Sequence, residues 1–387
     1  MPLSPRERVH LTLQHKEPDR VPVALGGGPY GVVDPVYFKL LDYLQIGDPV
    51  APFRQGHNIS YMDDRLLDKL DTDFRYVYPN RLPNSPIQPG REPGTFYDSY
   101  GQVWIQAQPY YYAGKGILSE MHPDQGLDAW ISFPDPEDPL WMSGVAERAE
   151  MLRQTTDYFV VMRMVASHGV FQTACDLRGT ENFLVDLAIN PNFAQSLLDK
   201  IASLQLGLIR QALIAGGAYF DMIELPGDDY ASNQGTLISP AMFRRFIKPI
   251  LKRFVDEIRS YRPDISIMLH SDGVITSLLE DLIEVGVDVV HPLEPLPSVD
   301  LVEIKRRFGD RVTFLGAIDI SHAMPGTVDD VINEAKTRIQ QLGPGGGYIL
   351  APSNHIQADV PPENVVALYQ AAHRYGCYPL AISKEDG

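Results

Sequence analysis

Cysteine is scarce in this 387-residue chain: Cys175 and Cys377 are the two copies, far apart and outside any CxxC pattern. That argues against a disulfide scaffold and against a thiolate-rich zinc site. Basic residues are outnumbered, with 33 Lys and Arg against 50 Asp and Glu, a net charge of −17. The densest basic run, FRRFIKPILKRF (Phe243–Phe254), places its charges on a helix period and reads as a solvated helix face. Nucleic acid and anionic membrane are therefore poor partners. No apolar run reaches the length of a membrane span. The N-terminal stretch MPLSPRERVHLTLQHKEPDR is charged and has no apolar signal core, so a soluble cytoplasmic protein is expected. Internal repeats and low-complexity tracts are also missing. The first glycine-rich turn, GGGPYG, matches neither a Walker loop nor a GxGxxG dinucleotide fingerprint.

What the chain does have is alternation. Eight β-rich runs each end in Gly, Pro or polar residues: 20–28, 72–79, 158–169, 219–229, 266–273, 287–295, 311–319 and 347–355. Helical periodicity fills most of the gaps, at 181–216, 239–261, 275–286, 298–309, 327–343 and 361–376. Ser239 is placed to cap its helix, with Pro240 at the first helical position. Strand–helix alternation implies a parallel sheet, and eight strands point to an α/β fold of the (β/α)8 TIM-barrel type. The excess length lies between the second and third strands. Residues 80–157 are rich in Pro, Tyr and Trp, and GTFYDSYGQVWIQAQPYYYAG (Gly94–Gly114) alternates like a hairpin. The expectation is a single barrel domain over 1–387, with 80–157 as an inserted β-rich lobe. A doubly wound open sheet is the alternative.

Barrel enzymes place their chemistry at the C-terminal ends of strands. Here those ends collect His168, His270, His291, His322 and His355, five of the ten histidines, together with Glu224, Asp228, Asp229, Asp272, Glu294 and Asp319. His with carboxylates suits a divalent metal held through nitrogen and oxygen, or proton transfer. His270 and Asp272 are two apart, so an extended strand sends both side chains out of one face. Asp228 and Asp229 sit in a Gly-led loop, where Asp also satisfies backbone donors. His291, before Pro292, reads as a strand-end residue. Asp319 fits either a pocket role or a helix cap, and His355 either a ligand or a loop brace.

SPRERVHLTLQHKEPDRVPV, GDDYASNQGTLISP, HSDGVITSLLEDLIEVGVDVVHPLEP, LGAID and APSNHIQADVPPENV together resemble the uroporphyrinogen decarboxylase-like superfamily, over nearly the whole chain. The resemblance implies a (β/α)8 barrel and one of two chemistries. One is cofactor-free decarboxylation of a porphyrinogen's acetate groups; the other is methyl transfer in corrinoid systems, often with zinc. True decarboxylases carry an Arg-rich RQAGR-type segment after the first strand, where this chain reads LGGGPYG. The zinc methyltransferases carry His-x-Cys at the fifth strand and a further Cys after the eighth. Here His270-Ser271-Asp272 stands at the first place, and Asn354 takes the second Cys position beside His355. What remains is similar to a branch with HSDG and an HNIQ-like loop, associated with O-demethylation and corrinoid methyl transfer.

The resemblance thus implies a methyltransferase-type enzyme that moves a methyl group from a small methoxylated or methylated compound to a corrinoid partner protein. It implies a homodimer, with a divalent metal, zinc first, held by His270, Asp272 and His355. The residues expected at the chemistry are His270, Asp272, Asp228, Asp229 and Asp319. Substrate contacts are expected from Glu224, Tyr230, Glu294, Asn354, His355 and Gln357, with Tyr and Trp of the insertion as aromatic walls. A metal-independent decarboxylase or lyase for a small carboxylic acid, and a non-catalytic ligand-binding barrel, are the rival readings.

Overall fold

The computed structural model describes residues 2–49, 61–85, 88–107 and 110–380. Seven parallel strands form one sheet in the order β1 (Phe74–Val77), β6 (Phe159–Met162), β7 (Met222–Glu224), β10 (Ser266–His270), β11 (Val289–His291), β12 (Thr313–Ile318) and β13 (Tyr348–Pro352). Their spatial order is their chain order. The runs are apolar on both faces because helices cover one side and the packed interior the other; every residue of FVVM in β6 and of YILAP in β13 is buried.

The first expected strand departs from the expectation. Val21–Leu25 is not a regular strand, yet it lies between the two outer strands of the sheet. Ala24 N–H donates to Leu350 O at 2.9 Å and Leu350 N–H to Pro22 O at 2.9 Å, on the β13 side. On the other side Asp73 N–H donates to Val23 O at 3.0 Å. A full ladder is interrupted for two reasons. Pro22 has no N–H, and the N–H of Val23 goes to the Asp73 carboxylate at 2.8 Å. That carboxylate is fully buried and also receives Arg8 at 2.5 Å and Arg20 at 2.8 Å.

Between β1 and β6 the chain forms an antiparallel sheet of β2 (Gln88–Pro89), β3 (Thr95–Tyr97), β4 (Val103–Ala107) and β5 (Tyr110–Ala113). Residues 86, 87, 108 and 109 of this segment lie outside the described residues. Asp98 organises it, accepting from Tyr100 N–H, Gln102 N–H and Trp104 Nε1–H at 2.9 to 3.0 Å. The end of the 80–157 segment is not β-rich. Val145–Thr155 is a helix that buries Val145, Ala149 and Leu152. A two-residue pair, β8 (Ala231–Ser232) with β9 (Gly235–Thr236), follows β7.

The 181–216 run is two helices, Thr180–Ile189 and Pro191–Gly216, because Pro191 cannot donate into a continuing helix and instead opens the second one. Ser239 caps as expected, its hydroxyl accepting from Met242 N–H, and a π turn over Phe243–Ile247 precedes the helix Lys248–Tyr261. No helix among the described residues is long and apolar enough to cross a membrane.

Asp73→Ala would take the buried carboxylate away from Arg8 and Arg20 and leave the Val23 N–H without its acceptor, while Arg8 keeps its paired contact with Asp19. The expected loss is about 4 kcal/mol of unfolding free energy, read from urea denaturation. A loss within experimental error would show that the carboxylate does not hold the first segment in place.

Candidate active site

The parallel register pairs His270 with His291, the last residues of β10 and β11. Their Nδ1 atoms lie 2.8 Å apart, and His291 Nε2 is 3.0 Å from the carbonyl oxygen of Pro352 at the end of β13. His291 is fully buried. Burial, with His270 beside it, holds its imidazole well below the ordinary histidine range, so it stays neutral. On the opposite edge, His270 Nε2 lies 3.6 Å from Asp229 Oδ1 and 3.6 Å from Asp272 Oδ1.

Asp229, His270 and Asp272 each offer one ligand atom, all within 4.8 Å of one another. The donors suit a divalent ion. One nitrogen and two carboxylate oxygens are the borderline-to-hard set that zinc accepts, with a fourth position left for substrate. Ligand atoms around tetrahedral zinc sit about 3.3 Å apart, close to the His–carboxylate separations here. Asp272 Oδ1 is buried and has no hydrogen-bond partner among the described residues, while its Oδ2 accepts from the Asn354 side-chain amide. Burial pushes the Asp272 carboxyl up to about 7, and repulsion from Asp229 and Glu294 adds to that against the pull of His270. A cation would relieve both the orphaned oxygen and the repulsion.

The loop geometry follows from backbone demands. Gly273 sits at φ 82°, and a Cβ there would meet Ser232 O at 2.7 Å, so the turn after Asp272 needs glycine. Its N–H donates to Glu294 Oε2 at 2.9 Å, and Asp272 N–H donates to Asp229 Oδ1 at 3.0 Å. The carboxylates are thus fixed by backbone donors rather than by arginines.

The other expected site residues separate into several places. Asp228 spends its carboxylate on the helix Val170–Arg178, accepting from Phe171 N–H at 2.9 Å and Gln172 N–H at 2.6 Å. Burial pushes its carboxyl up to about 7 against those two donors. Glu224 is buried below the site, accepting from Gly28 N–H at 2.8 Å and Tyr30 Oη at 2.7 Å, and burial raises its pKa. Tyr230 is a core residue against Phe171 and Phe243, and burial, with the Asp228 carboxylate beside its hydroxyl, raises its pKa well above the ordinary tyrosine range. Asp319 binds Ser321 N–H and His322 N–H with one oxygen and so braces its own turn.

The structure places the residues of the expected metal set as follows. Asp229 groups with His270 and Asp272, and His355 does not. His355 Nδ1 instead accepts from Gly31 N–H at 3.0 Å, which ties the last loop to the first. Gln357 holds the same loop, donating to His355 O and accepting from Tyr110 Oη of β5.

Three features go beyond the sequence reading, which placed His168 and His291 only at strand ends and left out Arg163. His291 bears directly on His270. Arg163 is buried, donates to Gly28 O at 3.1 Å and has no partner for its Nε among the described residues; an Arg inside the apolar run VMRMV is its signal. His168 is held through Nδ1 by Asp176 at 2.7 Å beside the Trp104 ring. Burial lowers the His168 pKa, but the Asp176 carboxylate outweighs it and the net shift is upward.

The profile of the family described as Uroporphyrinogen decarboxylase (URO-D) matches residues 125–375. A chloroplastic uroporphyrinogen decarboxylase of Zea mays is 27% identical over 242 residues, 61% of this chain and 58% of that protein. A uroporphyrinogen decarboxylase of Hordeum vulgare is 31% identical over 137 residues, 35% of this chain and 40% of that protein. The chain thus spans well under two thirds of the length of these curated relatives. A solved structure titled methyltransferase from Methanosarcina mazei superposes with a TM-score of 0.62 at 20% identity, covering 96% of this chain and 99% of that one. This likeness is one of fold.

Zinc titrated into the metal-free protein is expected to bind at Asp229, His270 and Asp272, and His270→Ala to abolish uptake. Affinity should climb as pH rises through about 7, where Asp272 gives up its proton, and level off above. Calorimetric titration across that range checks this, and a flat profile would remove Asp272 from the ligand set. Asp228→Ala should instead cost about 1–2 kcal/mol of stability through the lost helix cap and leave zinc uptake intact.

Proposed function

Because this chain belongs to the uroporphyrinogen decarboxylase family, we propose that it is a methyltransferase-type enzyme of that family. It would take a methyl group from a small methoxylated or methylated compound and pass it to a corrinoid carried by a partner protein. The observation that carries this reading is the cluster of Asp229, His270 and Asp272 with its unspent Asp272 oxygen. The printed name of the Methanosarcina mazei fold neighbour agrees with it. The loop LGGGPYG, which has no Arg to grip several carboxylates, speaks against a porphyrinogen as substrate. Val21–Leu25 is read as the eighth strand position of a (β/α)8 barrel, and the sheet β2–β5 as a lobe over its mouth.

Asp229, His270 and Asp272 would hold the divalent ion, zinc first. A bound ion supplies Lewis-acid polarisation of the oxygen that carries the methyl group. That polarisation would let the methyl–oxygen bond break with its electron pair left on oxygen, while the methyl carbon would pass to the nucleophilic corrinoid of the partner protein. Asn354 fixes the orientation of Asp272, and Gly273 N–H fixes Glu294. Trp104 and Tyr110, which reach His168 and Gln357 from the antiparallel sheet, would wall an aromatic substrate.

A second reading has one observation in its favour. The buried Arg163, whose Nε has no partner among the described residues, would suit the carboxylate of a small acid, and the curated relatives are named decarboxylases. In that case the chemistry would be metal-independent.

The test supplies zinc-loaded protein, reduced cobalamin and a panel of methoxylated aromatic compounds, and follows the loss of the cobalt(I) absorbance. The expected result is methyl transfer that drops about 10²- to 10³-fold in His270→Ala and Asp272→Asn. Release of carbon dioxide from small acids by metal-free protein, with no methyl transfer from any compound, would replace this reading with the second one.

A further inference from the structure

We propose that His291 is a positioning residue that fixes the tautomer of His270, keeping the proton on His270 Nδ1 and the lone pair of Nε2 facing Asp229 and Asp272. The inference rests on the reading of those three residues as the holders of the ion, and it adds the device that keeps the nitrogen ligand available.

The argument starts at Pro352. A backbone carbonyl oxygen only accepts, so the 3.0 Å contact places a proton on His291 Nε2. His291 is fully buried and meets no carboxylate among the described residues; the Tyr30 ring and His270 pack against it, and His355 acts on it as a further imidazole that disfavours a charge. A charge there would be costly, so the imidazole carries that single proton and its Nδ1 is an acceptor. The two Nδ1 atoms stand 2.8 Å apart, a distance that requires a hydrogen between them. That hydrogen therefore belongs to His270. In its neutral form His270 has no proton left for Nε2.

This outcome is not what the carboxylates alone would select. Two oxygens, each 3.6 Å from His270 Nε2, favour a proton on that atom. The acceptor at 2.8 Å on the other edge outweighs them and is anchored by β13 through Pro352. Metal-binding histidines are commonly oriented by such a partner on the remote nitrogen. Here the partner is a second histidine held by a backbone carbonyl, an arrangement that the register of β10 and β11 builds.

The test uses the full chain, metal-free, with ¹⁵N-labelled histidine, at a pH about two units above the ordinary histidine value. Long-range proton–nitrogen spectra, assigned with His270→Ala, should show His270 protonated at Nδ1 and bare at Nε2. A proton on Nε2 would overturn the proposal. His291→Phe fills the space but removes the acceptor. It should move the His270 proton to Nε2 and weaken zinc binding about ten- to a hundredfold. His291→Asn keeps an oxygen near the accepting position and should restore affinity to within about threefold of the parent. Unchanged zinc affinity in His291→Phe would overturn the role, and if that variant does not fold, the parent spectrum and His291→Asn decide. Failure of the parent protein to bind zinc, with the tautomer as stated, would defeat the metal reading and leave the positioning of His270 standing.

Discussion

The Asp73 carboxylate, fully buried between Arg8, Arg20 and the N–H of Val23, is the constraint from which the rest of the architecture follows. It holds the first segment between β1 and β13, where no regular ladder could do so. The residues that come next, Gly26–Gly31, are thereby delivered to the pocket end of the sheet. Gly28 and Tyr30 then satisfy Glu224, and Gly31 satisfies His355. A buried ion pair of this kind adds little net stability over an apolar substitute, but removing one partner strands the other. Its value here is specificity of placement.

The sheet register then does for the site what Asp73 does for the fold. Pairing His270 with His291 brings two imidazoles together at the ends of adjacent strands, and β13 supplies a carbonyl to orient the inner one. Around them stand Asp229, Asp272 and Glu294, fixed by backbone N–H groups and Asn354 and not by any arginine. Negative charges gathered without a fixed cation are costly in a half-buried setting, and the upward shift of Asp272 expresses that cost. Sites that break local rules in this way tend to be functional, because the strain is relieved by what binds.

Much of this was legible in the sequence, and the illegible parts share a cause. Seven apolar runs ending in polar clusters are the seven parallel strands, since burial on both faces leaves a continuous apolar signature. The same-face pairing of His270 and Asp272 follows from a period of two. His291 read as a bland strand end because its meaning lies in a neighbouring strand twenty-one residues away. That Asp229 stands with His270 and Asp272, while His355 is engaged by Gly31, is hidden for the same reason: only the folded loops show it. Asp228 looked catalytic from its position, yet it caps a helix more than fifty residues earlier in the chain. The break at Asn190–Pro191 was visible as a proline and was overridden by the periodicity on either side.

Asp228 and Asp272 make the sharpest comparison within the site. Burial raises both carboxyls to about 7, so a perturbed pKa alone does not tell them apart. Their lone pairs do. Asp228 gives one oxygen to Phe171 N–H and the other to Gln172 N–H, and its acceptors are occupied by the scaffold. Asp272 gives one oxygen to Asn354, and the other, buried and turned toward His270, has no donor among the described residues. A buried acceptor with nothing to accept is unstable on its own and becomes favourable only when a cation, or a proton in transit, arrives. The position of that oxygen, and not the number of acidic residues nearby, is what distinguishes the Asp272 loop from the well-braced loop of Asp228.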